Sequence, residues 1–220
     1  MKSRPFVLAL AITWGFCLGV RTVSAEPATP RKVSAPHSQV AKVLERLSQI
    51  TGLSAHFREE KHITLLSKPL ISHGMIYYLS PDQLLRRTES PEKSAIRIRN
   101  NRVDIADAAG QSSIDLAQHS AIRELIVCFL YVLQGDSAAL NRSYTLTFQR
   151  KTNDSWMLRL NPKTAALRQM IRYISLSGHD IILQKLIVAE ASGDISVTTF
   201  EDVQTDRKFS PEERRRMFGL

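Results

Sequence analysis

The sequence predicts a mainly β protein with helices, built as a half-open antiparallel β-barrel of about eleven strands capped by helices. Three observations support this prediction. Apolar and polar residues alternate over short segments along most of the chain. Turn-forming residues separate neighbouring segments, which is typical of antiparallel hairpins. Only two substantial helical patterns are present, too few to cover so many apolar strand faces, so the sheet must curl over itself.

The first 25 residues have the features of an export signal. Lys2 and Arg4 precede an apolar run from Phe6 to Val20, and Val23-Ser24-Ala25 then provides small residues where a signal peptidase cleaves. The run is shorter than the roughly 20 residues of a membrane-spanning helix, which favours a cleaved signal over a retained anchor. We therefore expect cleavage after Ala25 and a periplasmic location.

The rest of the chain is expected to form one domain. Residues 26–37 contain three prolines and no periodicity, so they are interpreted as a flexible lead-in to a single domain over residues 38–220.

Cys17 lies in the signal and follows bulky Phe16, which disfavours lipoprotein processing. Cys128 alone would remain after cleavage, so an intramolecular disulfide is excluded. Cys128 lies in "LIVCFLYVL" and is expected to be a small buried hydrophobe.

The first element of the domain is an amphipathic helix from about Ser38 to Ile50. Its apolar residues recur at spacings of three and four, and Thr51-Gly52 ends the pattern. The period then changes to two, which predicts six strands: Ala55–Thr64, Met75–Leu79, Leu84–Thr88, Ala95–Arg99, Arg102–Ala106 and Ser113–Leu116.

A second helix is predicted from about Ala121 to Leu133, and it is too uniformly apolar to lie on a solvated surface. Ser210, Pro211 and Glu213 later form a capping-box pattern that predicts a short terminal helix. Between these helices, five further strands are predicted: Tyr144–Gln149, Trp156–Leu160, Gln169–Leu176, Ile181–Val188 and Ile195–Phe200. Strand number alone leaves open whether the interior is filled or holds a cavity.

Patterns for catalysis and metal binding are absent from the sequence. The six histidines form no spacing typical of metal ligands, and no nucleophile elbow, phosphate-binding loop or dinucleotide fingerprint occurs. Glu59 and Glu60 are adjacent, so a strand would direct them to opposite faces, which disfavours a paired-carboxylate site. We therefore expect a protein that is not an enzyme and uses no cofactor or metal.

The formal net charge of +9 is spread along the chain. Nucleic acid is not expected as a partner of an exported protein. The basic residues could meet anionic lipid headgroups or an acidic partner, or they could be solvated strand and helix faces. We expect transient contact with a membrane surface and a monomeric protein.

Two stretches and the order of elements carry a family resemblance. "WMLRLNPK", from Trp156 to Lys163, matches a strand that ends in L-x-P-K, and Glu190, Gly193 and Phe200 match an acidic-x-x-Gly turn with its following strand. From about Ser38 to Asp202 the sequence resembles the periplasmic outer-membrane lipoprotein carriers, the LolA family, and especially its divergent LolA-like branch.

The sequence departs from the family pattern at its first hairpin. Phe57-Arg58-Glu59 stands where the family usually has Phe-x-Gln, and Ser80-Pro81 stands where it has Arg-Pro. In the family that arginine is implied to hold a helical lid closed. Its place is taken here by Ser80, and Arg86 or Arg87 could replace it only from a different position.

The resemblance implies a carrier that shields lipoprotein acyl chains in an apolar cavity between an inner-membrane exporter and an outer-membrane acceptor. Met75–Leu79 is apolar on both faces, which fits a cavity wall but equally fits a strand of a filled barrel. Leu125, Phe129 and Leu133 would belong to the lid in the first case and to the core in the second. The lipid-binding residues implied are Phe57, Met75, Tyr77, Leu79, Leu85, Leu125, Phe129, Leu146, Phe148 and Leu158.

Two alternative functions are compatible with the same sequence features. The cargo could be another lipid-tailed molecule, such as a glycolipid or a polyene lipid. The same barrel could instead serve a non-catalytic envelope sensor or interaction module that detects mislocalised lipoproteins. A carrier exchanges its ligand between membranes, whereas a sensor binds a protein domain more tightly when its ligand is present.

Overall fold

The computed structural model describes residues 37–151 and 154–219. The predicted signal peptide and residues 26–36 of the predicted lead-in lie outside the described residues. The first half of the described chain contains α1 (His37–Leu47), β1 (Gly52–His62), β2 (Leu70–Leu79), β3 (Gln83–Ser90), β4 (Ser94–Arg99), β5 (Arg102–Asp107) and β6 (Gly110–Asp115). The second half contains α2 (Ser120–Leu133), α3 (Ser137–Ser143), β7 (Tyr144–Arg150), β8 (Ser155–Pro162), α4 (Ala165–Met170), β9 (Ile171–His179), β10 (Ile182–Glu190), β11 (Ile195–Gln204) and α5 (Pro211–Phe218).

The described strands form one antiparallel sheet in the order β6-β5-β4-β3-β2-β1-β11-β10-β9-β8-β7. Strands β6 and β7 are its two edges, so the sheet is not closed, and the prediction of a half-open antiparallel barrel of about eleven strands is confirmed. Strand β1 pairs with both β2 and β11 and thereby joins the two halves of the chain. No helix in the described ranges is long and apolar enough to cross a membrane.

The main hydrophobic core lies between the inner face of the sheet and helices α1 and α2. Leu44 and Leu47 of α1, Leu130 and Leu133 of α2, and Trp156 of β8 are among its most buried members. Helix α2 is largely buried from Leu125 to Leu133, as its uniformly apolar sequence predicted. Helix α2 therefore lies inside the curved sheet and covers its inner face.

A second, smaller core lies on the outer face, where α5 packs on β2 and β3. Leu79 and Leu85 contact Phe209, Met217 and Phe218 there. The predicted capping box of α5 is confirmed, because Ser210 Oγ accepts from the Glu213 backbone and Glu213 accepts from the Ser210 backbone. The outer face of this hairpin is thus buried by a helix from the far end of the chain.

Two short helices and one turn differ from the sequence prediction. Gln169 was predicted to begin a strand but belongs to α4, which Thr164 caps by accepting from the Leu167 N–H at 3.2 Å. Helix α3 was not predicted, although Asp136 caps it by accepting from the Ala139 N–H at 2.8 Å. Strand β9 continues through His179, into the turn expected between the predicted strands Gln169–Leu176 and Ile181–Val188.

Candidate functional site

An apolar cavity lies between α2 and the inner face of the sheet, with a volume of about 130 Å³. Cavities of about 150 Å³ accommodate a molecule the size of benzene, so this one holds only a few acyl carbon atoms as it stands. Helix α2 contributes Leu125, Ile126, Cys128 and Phe129. The apolar strand residues that face it are Phe57, Ile76, Leu84, Ile96, Ile98, Val103, Ile174, Leu176, Leu186, Val188 and Phe200.

One end of the cavity is polar. Arg86 of β3 forms an ion pair with Glu59 of β1, with 3.2 Å between Nη2 and Oε1, and both side chains are mostly buried. Thr198 of β11 donates its hydroxyl to the other oxygen of Glu59 at 3.1 Å. The Arg86 guanidinium also lies over the ring of Phe57, 4.3 Å from its centroid. The apolar wall therefore meets a fixed group of hydrogen-bonding side chains.

A second ion pair, between Lys61 of β1 and Glu190 of β10, lies two residues further along β1. Lys61 Nζ is 2.9 Å from Glu190 Oε1, and the two side chains are 9% and 8% exposed. In the pairing of β1 with β11, Glu59 is opposite Thr198, and Lys61 is opposite Ser196. The inner face thus becomes polar towards the loop that connects β1 to β2.

One side-chain contact holds the C-terminal end of α2 to the β2–β3 turn, and a second contact lies within the hairpin. Gln134 Nε2 donates to the carbonyl oxygen of Pro81, and the hydroxyl of Tyr78 donates to the same oxygen at 3.2 Å. Ser80, which replaces the arginine expected from the family, is adjacent to this carbonyl in the sequence. Gln134 therefore supplies the side chain that fastens α2 to this hairpin.

Cys128 is the cysteine on the cavity wall, and it is fully buried on α2. Burial raises the pKa of its thiol to about 12. The thiol donates to the carbonyl oxygen of Leu125 at 3.0 Å. It is therefore protonated at neutral pH and acts as a small hydrophobe, as the sequence predicted.

Residues 32–208 match the family described as "Outer membrane lipoprotein carrier protein LolA-like". The chain belongs to this LolA-like family. Membership indicates a lipid- or lipoprotein-binding kind of carrier. No protein of curated function matches the sequence.

Several solved structures are similar to this LolA-like protein. A LolA superfamily protein from Nitrosomonas europaea is 12% identical, with 79% of this chain and 96% of that chain covered and a TM-score of 0.43. The MucA/MucB complex of Pseudomonas aeruginosa contains a chain that is 12% identical, with 79% and 59% covered and a TM-score of 0.49. An outer-membrane lipoprotein-sorting protein domain from Vibrio parahaemolyticus is 6% identical, with 81% and 95% covered and a TM-score of 0.48.

The LolA-like protein brings three of the predicted lipid-binding residues together at the cavity: Phe57, Leu125 and Phe129. Phe129 lies against Phe200, with 6.4 Å between ring centroids. Leu158 is buried in the main core and does not line the cavity. Leu146 and Phe148 are half-buried on edge strand β7, where they pack at the margin of the core.

The remaining predicted residues lie on the opposite face of the sheet. Tyr77, Leu79 and Leu85 belong to the outer core beneath α5, and the Tyr77 ring is 6.4 Å from that of Phe209. Met75 shares their side of β2 by alternation. The hairpin is apolar on both faces, so its alternation did not show which side faces inward.

Sequence reasoning missed two sets of residues. One set faces inward from the β2–β3 hairpin, and the other forms the polar end of the cavity. Ile76 and Leu84 line the cavity in place of Tyr77 and Leu85. Arg86 lies two residues after Leu84 and therefore points to the same face of β3. A basic residue at a position that alternation assigns to the apolar inner face could have indicated the polar end of the cavity.

Proposed function

We propose that this LolA-like protein is a periplasmic carrier that takes lipoprotein acyl chains beneath α2 and moves them from the inner to the outer membrane. The observation that most supports the proposal is an apolar cavity whose cover is a single helix. Each methylene removed from water contributes roughly 0.8 kcal/mol, so even part of an acyl chain offsets much of the cost of leaving a bilayer. The proposal requires no catalytic group.

Uptake of a whole chain requires α2 to move, because the cavity holds only a few carbon atoms. Side-chain hydrogen bonds tie both ends of α2 to turns of the sheet. Gln134 donates to Pro81 at one end, and Arg123 donates to Asn101 Oδ1 at 3.0 Å near the other. A hydrogen bond contributes about 0.5–1.5 kcal/mol net to stability. Burial of two or three ligand methylenes therefore compensates for the loss of one of these hydrogen bonds. The ligand thereby favours the open state.

Contact with the membrane is proposed to occur through the loop between β1 and β2, residues 63–69, and the start of β2. Thr64 fixes the loop to the β10–β11 turn, because its N–H and hydroxyl both donate to Asp194 Oδ1, at 2.9 and 3.0 Å. Large exposed apolar side chains in the described part of the chain are concentrated here: Leu65 (92% exposed), Leu66 (49%), Leu70 (53%) and Ile71 (40%). The polar end of the cavity faces the same end of the sheet.

The double variant Leu65→Ser/Leu66→Ser is expected to bind phospholipid vesicles at least tenfold more weakly than the wild type. Full burial of a leucine is worth roughly 1.5–3 kcal/mol, and the membrane would bury both side chains. Vesicle sedimentation measures this binding. Ala109→Ser, in the exposed turn between β5 and β6, is the control and should bind like the wild type. Equal vesicle binding by the double variant would exclude this loop as the contact.

Native mass spectrometry of the protein purified from the periplasm, followed by solvent extraction, tests the carrier proposal. A bound acyl chain attached to a peptide would support lipoprotein cargo. A glycolipid or polyene lipid would retain the carrier but change its cargo. A ligand-free mass, together with no uptake of a fluorescent fatty acid, would contradict the carrier and favour an interaction module.

A further inference from the structure

We propose that the polar end of the cavity binds the neutral acyl carbonyl of the ligand, an ester or an amide, with the Arg86 guanidinium as the donor. The inference rests on the proposed function, since it assumes that an acyl chain occupies the apolar part. It adds a selectivity for the group to which the chain is attached. Arg86, Glu59 and Thr198 form the proposed site.

Arg86 is held in place but keeps hydrogen-bonding capacity. Its Nη2 is paired with Glu59, and its guanidinium lies on the Phe57 ring, so its position is fixed from two sides. A guanidinium carries five N–H donors, and the pair with Glu59 uses only part of them. Arg86 lines the cavity. Each of its nitrogens either has a partner or is at least partly accessible. Its other N–H groups are therefore accessible to a ligand.

The charges at this end of the cavity favour a neutral acceptor. Arg86 is balanced by Glu59, and Lys61 is balanced by Glu190. A carboxylate or phosphate placed beside Arg86 would also lie near the Glu59 carboxylate, which repels it. A carbonyl oxygen accepts from the guanidinium without that repulsion. Buried ion pairs are poor stabilisers compared with apolar packing, so stability alone does not account for these charges in an apolar cavity.

The spacing along the strands suits a chain and its carbonyl. Phe57 and Phe200 form the apolar wall, and Glu59 and Thr198 follow two residues away on the same strands. Two residues of a strand span roughly 6.6 Å, about five bonds of an extended acyl chain. A chain that packs against the two phenylalanines therefore brings its carbonyl within reach of Arg86.

The test compares three ligands of equal chain length: monopalmitoylglycerol, palmitate and hexadecane. Their affinities are measured by displacement of a fluorescent acyl probe. Arg86→Met is expected to weaken monopalmitoylglycerol about tenfold and to leave hexadecane unchanged. Glu59→Gln removes the opposing charge, so it is expected to increase the affinity for palmitate relative to monopalmitoylglycerol at least threefold.

Matched variants keep the inference falsifiable. Arg87→Met changes the exposed neighbour on the other face of β3 and should leave all three affinities unchanged. Arg86→Lys keeps the charge beside Glu59 but loses the fork of donors, so it should weaken monopalmitoylglycerol even if Arg86→Met does not fold. Equal loss for hexadecane and monopalmitoylglycerol in a folded Arg86 variant would overturn the inference while the carrier function stands. A wild-type protein that binds none of the three ligands would overturn the carrier function as well.

Discussion

Val188→Trp is expected to weaken the binding of acyl chains at least tenfold. Val188 lies on β10, half-buried, with its side chain on the cavity wall. An indole there would fill much of a cavity of about 130 Å³. Displacing two to four methylenes of the ligand would cost roughly 1.6–3.2 kcal/mol, and each 1.4 kcal/mol is about a factor of ten in affinity. Titration with a fluorescent fatty acid measures the change.

The neighbouring residue provides the control for this variant. Ile187 is also half-buried on β10, but its side chain is on the other face and does not line the cavity. Ile187→Trp should therefore bind like the wild type. Overpacking typically costs about 1–3 kcal/mol, so thermal unfolding of both variants must show that they remain folded. Equal binding by the two tryptophan variants would show that acyl chains are bound elsewhere.

The strands could be predicted from the sequence because the sheet is built from local hairpins. Trp156, Leu158 and Leu160 alternate with polar or half-buried residues, and all three are buried on one face of β8. Such alternation needs only a few residues to be visible. Helices α3 and α4 are 7 and 6 residues long, too short for a helical period to repeat, and only the caps Asp136 and Thr164 indicate them.

The candidate site was harder to predict, because its residues meet through pairings distant in sequence. Helix α2 could be recognised from its apolar character, and Phe129 and Leu125 with it. The inward-facing side of β2 could not be recognised, because α5 buries the outer face of the strand as well. Tyr77 and Leu79 on that face are therefore large apolar residues like Ile76 on the inner face. Glu59 and Arg86 form a pair only after β1, β2 and β3 are placed in register.

The polar end of the cavity also leads to the largest expected effect on stability. Lys61→Met should lower the free energy of unfolding by about 3–5 kcal/mol, the usual cost of removing one partner of a buried ion pair. The Glu190 carboxylate would stay buried without the ammonium that now lies 2.9 Å away. Urea unfolding followed by circular dichroism measures the loss.

The double variant Lys61→Met/Glu190→Leu distinguishes charge from shape. Replacing a buried ion pair with apolar residues of similar volume is often neutral or stabilising, so the double variant should recover most of the stability lost by Lys61→Met. Because Arg86 and Glu59 remain, it should also retain its preference for monopalmitoylglycerol over palmitate. If the double variant is as unstable as the single one, an uncompensated charge cannot explain the loss of stability. The pair would then hold β1 and β10 together by its geometry.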